Sequence, residues 1–374
     1  MRIRAAVLHQ MGAPAPYAQS RPLKIEELEL DSPGEGEVLI QIKAAGLCHS
    51  DLSVIEGTRP RPTPMALGHE AAGIVKQLGP GVKDLSIGDH VVLVFVPSCG
   101  HCVPCAEGRP ALCEPAAGSN VAGTLISGAR RLKMAGRDVH HHLGVSAFAD
   151  HAVVSKNSVV KIDKTLPFDE AALFGCAVIT GVGAVLNTAR AKAGSRIAVI
   201  GLGGVGLNSV LGAQVAGARQ IVAIDLRDDK LKLAKQLGAT HTFLASDSDV
   251  AEKVKSATAG GVDYAFEMAG SIPALELAWK ITRRGGETIT AGLPHPQKTL
   301  SISPVQMVGE ERTLKGSYLG SCVPVRDIPV YIDLYRAGKL PVDRLMSDRI
   351  SLDQINEAFD RLASGATVRQ VVMF

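Results

Sequence analysis

Aromatic residues make up only 4% of the 374 positions, with a single tryptophan, so Ala, Val, Leu and Ile must fill the core. Charge of one sign is scarce too. The formal net charge is +3 and no run of Lys or Arg stands out, which removes the electrostatic footprint of a nucleic acid or an acidic membrane as partner. No apolar stretch reaches the roughly 18 uninterrupted residues that a membrane helix needs. The opening MRIRAAVLHQMGAP lacks the sustained apolar region of a secretory signal. Internal repeats and low-complexity tracts are missing as well. Together these absences predict a cytoplasmic protein that works on small molecules.

At this length one core usually gives way to two, so two domains are expected. From the start to about Asp163, short strand-like pieces such as EVLIQIKAAG, AAGIVKQLG, DHVVLVFV and ADHAVV are separated by Gly and Pro, predicting a mainly β half. From Gly194 to about Gly292, apolar strands alternate with helical segments, from RIAVIGLG and GVGLNSVLGAQVAGA to IPALELAWKITRRGG and ETITAGL. Such alternation predicts an α/β, doubly wound parallel sheet. Beyond Leu319, two helical stretches lead to the terminal VRQVVMF, and periodicity does not say which half they join.

Cysteine is sparse, but four of the 7 are concentrated in PSCGHCVPCAEGRPALCE: Cys99, Cys102, Cys105 and Cys113. The C-x2-C-x2-C-x7-C spacing lets one loop surround a tetrahedral ion, which predicts a closed, structural zinc site. The competing reading is a pair of disulfides in a secreted loop. An odd cysteine total in a chain too large to need staples argues against it. A closed site binds no substrate, so chemistry must come from elsewhere.

After the strand-like SRIAVI comes Gly201-Leu202-Gly203-Gly204-Val205-Gly206, opening a helical pattern. In a G-x-G-x-x-G turn, Gly201 would permit the tight bend, Gly203 the approach of a pyrophosphate, and Gly206 close packing of helix on strand. A glycine-rich turn alone is weak evidence. The next strand, QIVAIDL, ends in Asp225 a little over twenty residues on, where an acidic residue would accept the ribose 2′-OH and favour NAD over NADP. Arg227 and Lys230 follow and soften that preference.

The remaining candidate ligands stand after glycines: Cys48 and Ser50 in GLCHSD, His69 in GHE, and Cys176 in FGC. With these motifs the chain resembles the zinc-dependent medium-chain alcohol dehydrogenases, in the layout of their dimeric, class III-like branch. The resemblance runs through GLCHSDLSVIEG, ALGHEAAGIV, the four-cysteine loop, GCAVITGVGAV, GLGGVG and INEAFDRLASGATVRQVVMF, nearly the whole chain. It implies a GroES-like catalytic domain from residues 1–177 and 320–374 and a Rossmann domain from 178–319. It also implies two zinc ions: a catalytic one on Cys48, His69 and Cys176, and a structural one on the four-cysteine loop.

A Cys2His set leaves one position open, and zinc there acidifies a bound hydroxyl. The reaction implied is reversible oxidation of a primary or secondary, aliphatic or aromatic alcohol to an aldehyde or ketone, by hydride transfer from a zinc-bound alkoxide to NAD. Ser50 matches the family's hydroxyl at the substrate oxygen, although a helix N-cap is its plainer use. The relay histidine of the animal enzymes is replaced by Ser53, which leaves water or His49 to complete the proton path. Asp51 is expected to orient His69, and Glu70 to lie behind the metal. At the nucleotide, the resemblance implies His49 and Arg369 near phosphates, Thr180 and Val205 at the nicotinamide, and Lys230 at the ribose.

Substrate-pocket candidates are Arg59, Phe95, His142, Leu143, Leu293 and Tyr318, most of which would ordinarily read as core filling. Arg59 and His142 stand where many relatives carry apolar residues. The run His140-His141-His142 reads as a surface-adjacent strand or loop rather than a third metal site. The segment from about Ala117 to Val139 resembles an insertion of dimeric relatives, so a homodimer is expected. Two rivals stand beside this reading. One is S-(hydroxymethyl)glutathione dehydrogenase, which shares nearly every motif. The other is a catalytically inactive NAD-binding structural protein, whose expected signature is a lost ligand.

Overall fold

The computed structural model describes residues 1–374 and divides into two compact units. The first comprises Met1–Cys176, Val323–Ile332 and Val342–Phe374, and the second Ala177–Cys322 and Asp333–Pro341. The edges expected at 177 and 320 thus fall at Cys176 and Val323, and residues 333–341 group with the second unit.

In the first unit, the strands Arg2–Leu8, Leu23–Leu30, Leu132–Met134, Arg137–His141 and Met65–Ala66 close a barrel. Its opening strand begins in alternation, Ile3 inward between the exposed Arg2 and Arg4, as a pleat with one wet face requires. Ile3, Val7, Leu28, Leu30 and Val139 fill the interior. A seven-stranded sheet runs in the order Val159–Ile162, His90–Leu93, Ala71–Leu78, Glu37–Gly46, Arg369–Met373, Met346–Ile350, with His151–Ser155 also on Glu37–Gly46. Glu37–Gly46 is buried along most of its length, with Val38, Leu39, Ile40 and Ile42 inside and the buried Glu37 held by Arg131. The C-terminal strand lies antiparallel to it, Val371 opposite Gly46, so the end of the chain joins the β-rich unit.

The second unit holds a six-stranded sheet in the order His241–Leu244, Gln220–Asp225, Arg196–Ile200, Val262–Glu267, Thr282–Thr290, Thr313–Gly316, every pair parallel. The strand order reverses beside Arg196–Ile200, which creates the crevice where such sheets bind ligands. One expectation is corrected: the helix read through ITRRGG stops at Ile281, and Thr282 begins a strand. Thr282 is β-branched with extended backbone, and the register shift between Val262 and Tyr264 absorbs the Arg-Arg-Gly-Gly insertion. Few as the rings are, Phe148, Phe174, Phe266 and Phe359 are among the largest fully buried side chains. No single helix is long and apolar enough to cross a membrane.

Candidate metal centres and nucleotide site

Cys48 leaves the strand Glu37–Gly46 and caps the helix His49–Ile55, with Asp51 Oδ2 accepting its backbone N–H at 3.1 Å. Ser50 therefore sits inside the first turn and is not the N-cap. Its Oγ is 3.7 Å from Cys48 Sγ. His69 follows Gly68, whose φ of +93° and whose hypothetical Cβ, 2.4 Å from Phe148 N, leave room for glycine alone. Cys176 ends the single turn Leu173–Gly175. The ligand atoms of Cys48, His69 and Cys176 lie within 4.8 Å of one another, all buried.

These residues fit a metal. His69 Nδ1 lies 2.9 Å from Asp51 Oδ1, so the proton belongs on Nδ1. In the neutral imidazole that leaves the Nε2 lone pair buried without a hydrogen-bond partner, a costly state that a cation among two thiols removes. The hydrogen bond from Cys176, against the opposing effect of burial and with help from His69, draws the Cys48 thiol well below its usual range. Burial opposes a charged imidazole at His69, yet the charge and hydrogen bond of Asp51, followed by Cys48, push it up to about 10. An incoming cation would displace that proton.

Around this set the structure changes two expectations. His141 and His142 are buried to 1% exposure rather than surface-adjacent. The strand Arg137–His141 runs parallel to Met65–Ala66, which carries the histidines inward beside the chain leading to His69. Glu70 and Arg369, expected in separate roles, form one buried ion pair within the first unit.

The Sγ atoms of Cys99, Cys102, Cys105 and Cys113 also lie within 4.8 Å of one another. Backbone amides donate to them: His101 N at 3.5 Å and Cys102 N at 3.3 Å to Cys99, and Cys99 N at 3.2 Å to Cys113. The His101 amide, chiefly, lowers the Cys99 thiol to about 6, while burial pushes Cys113 up to about 12. Four such thiols ionise together only around a cation, and none of the seven cysteines forms a disulfide.

In the second unit the three glycines show three separate constraints. At Gly201 φ is +88°, and a Cβ would meet Ala269 N at 2.6 Å. Nothing lies within 4 Å of a Cβ on Gly203, and one on Gly206 would strike Gly201 O at 1.8 Å. Gly204 begins the helix Gly204–Val215. Asp225 ends its strand and accepts the amides of Leu202 at 2.7 Å and Arg227 at 2.9 Å. Arg227 is engaged by Asp229 through two bonds of 3.0 Å, and burial lowers the Lys230 ammonium. Thr180 and Val205 are half-buried on adjacent helices, which meet where Gly181 packs on Val205 O.

The pocket candidates separate. Phe95 packs its ring edge-to-face on His69 at 5.2 Å, and Leu143 is buried with φ +50°. Arg59 is half-buried in the loop after the helix His49–Ile55, and His49 is exposed at that helix's start. Leu293 and Tyr318 are 53% and 42% exposed in the second unit, so core filling is not their role. Sequence reasoning missed the approach of His142 to Asp51, which depends on barrel register and leaves no local signal.

Residues 34–164 match the alcohol dehydrogenase GroES-like domain, and residues 204–337 the zinc-binding dehydrogenase domain. The chain is 40% identical over its full length to the NDMA-dependent alcohol dehydrogenase of Amycolatopsis methanolica, 99% of which is covered. It is 35% identical to the S-(hydroxymethyl)glutathione dehydrogenase of Paracoccus denitrificans, with both chains covered throughout. The crystal structure of benzyl alcohol dehydrogenase from Acinetobacter calcoaceticus matches with a TM-score of 0.93 at 34% identity, over 100% of this chain and 99% of that one. A GroES-like domain followed by a zinc-binding dehydrogenase domain, matched along whole relatives at these identities, makes this chain a member of the zinc-dependent medium-chain alcohol dehydrogenases.

Proposed function

We propose that the protein is an NAD-linked alcohol dehydrogenase with two zinc ions per chain, acting on primary or secondary alcohols. The observation that carries this is the buried, unpartnered Nε2 of His69 facing two buried thiols. Zinc held there would supply a Lewis acid that acidifies a hydroxyl, and NAD would accept hydride. The chain's own residues do the rest. Cys48 and Cys176 supply thiolates, and Asp51 keeps the His69 proton on Nδ1. Ser50 Oγ takes the substrate's hydroxyl proton beside Cys48. Ser53 Oγ donates to His49 O at 2.9 Å, so onward release falls to water or to exposed His49. Cys99, Cys102, Cys105 and Cys113 hold the structural ion.

The nucleotide reading assigns the pyrophosphate to Gly201, Gly203, Gly204 and Gly206, with exposed His49 at a phosphate; Arg369, buried in its pair with Glu70, is not carried into this reading. It assigns the ribose to Asp225 and Lys230, and the nicotinamide to Thr180 and Val205. Engagement of Arg227 by Asp229 supports NAD over NADP, because that cation is already neutralised. A homodimer is supported by the open edge of Thr313–Gly316 and by Val305 and Val308, 83% and 78% exposed on the helix Pro304–Gly309. Cysteines in a metal-ligand pattern rather than in disulfides support a reducing, cytoplasmic setting.

The test combines metal content with turnover of primary, secondary and aromatic alcohols, offered NAD, NADP or NDMA, in wild type and Cys48→Ala. Two zinc ions in the wild type, with one zinc and turnover lost in the variant, support the reading. One zinc in both, with no turnover, overturns it. The glutathione-dependent relative favours a second substrate, the formaldehyde–glutathione adduct. Turnover of that adduct well above simple alcohols would select it.

A further inference from the structure

We propose that His142 is a positioning residue of the Cys48–His69–Cys176 centre, acting through Asp51 on the imidazole of His69. The inference rests on the zinc reading given above. The ring of His142 is 1% exposed and stands edge-to-face to His69, centroids 5.5 Å apart at 86°. Its backbone is fixed from two sides: its N–H donates to Ser146 Oγ at 3.0 Å and to Ala66 O at 3.3 Å. So held, Nδ1 lies 3.2 Å from Asp51 Oδ1, the oxygen that takes the His69 proton; the approach is within ion-pair distance but off the line of a full hydrogen bond, and this buried Nδ1 makes no hydrogen bond elsewhere.

Asp51 is thus approached from three directions. Its Oδ2 takes the Cys48 amide, and its Oδ1 takes His69 and faces His142. The ligand atoms of Asp51, His69 and His142 also lie within 4.8 Å of one another. They do not form a third ion site, because the His69 proton bound to Asp51 stands where a cation would have to be. What the cluster does is divide one carboxylate between two imidazoles. A carboxylate that shares its charge with a second donor draws less on the first, so His142 moderates the pull of Asp51 on His69 and hence the donor strength of Nε2.

Two substitutions separate hydrogen bonding from packing. His142→Phe keeps the ring and removes the donor, while His142→Asn keeps an N–H at the Nδ1 place and removes the ring. We expect the Nδ1 proton resonance of His69 in the zinc-loaded protein to move downfield in the Phe variant and to stay near wild type in the Asn variant. Zinc retention against a chelator should rise about 3–10-fold in the Phe variant only. If the Phe variant fails to fold, His142→Leu lacks the donor equally and is read the same way. An unmoved resonance in the donor-less variant, a fall in its zinc retention, or a change that follows ring size instead would overturn the proposal. Wild-type protein holding no zinc on Cys48 would sink the zinc reading instead, before any His142 variant is made.

Discussion

The two cysteine-rich clusters are built from opposite materials. Cys99, Cys102, Cys105 and Cys113 come from one loop, the first three half-buried and Cys113 buried, and Cys99 and Cys113 take hydrogen bonds from neighbouring backbone amides. Cys48, His69 and Cys176 come from three separate places in the chain, are all buried, and are tied together by side chains, Asp51 above all. A loop that supplies its own ligands and amides can close around an ion locally. A centre assembled from distant segments holds its shape only while the barrel and sheet hold theirs, and it is the one with a coordination place to spare.

The largest expected effect breaks the comparison outright. Cys48→Ala should lower kcat/KM by about a thousandfold or more, several kcal/mol of lost charge stabilisation, with a smaller loss of thermal stability from the vacated buried centre. Cys105→Ser should do the reverse, lowering the melting temperature and the metal content while kcat per intact molecule persists. Calorimetry and steady-state kinetics on both variants decide it. Equal losses of stability in the two would show that the centres do not divide the labour.

That difference also governed what could be read in advance. The four-cysteine loop and the Gly201–Gly206 turn are contiguous, so spacing alone carried their physics. The Asp51–His69 bond was expected because each flanks a recognisable motif. The approach of His142 was not, since it follows from Met65 pairing with His140 across the barrel. Arg369 reaches Glu70 only because the last strand inserts beside Glu37–Gly46. The TRRGG segment reads as helix continuing from IPALELAWKI, and only the bulge opposite Val262 and Tyr264 turns it into strand.

A smaller effect sharpens the contrast within the buried centre. Asp51→Asn keeps the shape but removes the charge that holds the His69 proton on Nδ1. Zinc at this centre should be held about 10–100-fold less tightly, and zinc in the cysteine loop should be unaffected. Competition with a chromophoric chelator reads both sites at once, and equal weakening of both would contradict the independence argued above.

Acid should also weaken the barrel. Burial, chiefly, lowers the His141 imidazole to about 3, and its Nε2 must stay unprotonated to accept the Arg131 amide at 3.0 Å. The folded value lies below the ordinary 6.5, so the unfolded chain binds the proton first. Stability is complete above about 6.5 and should fall by about 1.4 kcal/mol per pH unit between there and the folded value. Denaturant melts of wild type and His141→Asn between pH 7 and 4 test it. The variant should start less stable yet lose less on acidification, and parallel slopes would remove His141 as the cause.

The smallest effect on the fold belongs to Gly203, which should part company with Gly206 in the same turn. A methyl on Gly206 would strike Gly201 O at 1.8 Å, so Gly206→Ala must push the helix off the strand and lower the melting temperature. A methyl on Gly203 meets nothing within 4 Å, and its backbone sits at φ −72°, open to any residue. Gly203→Ala should therefore fold and melt like wild type, yet bind the nucleotide about tenfold more weakly, because the methyl occupies the approach of the pyrophosphate. Both metal centres lie in the first unit, so their zinc should be untouched. Nucleotide titration by fluorescence beside a thermal melt separates the cases. A Gly203→Ala variant that melts early would mean the glycine is there for the fold, and one that binds nucleotide normally would move the pyrophosphate away from this turn.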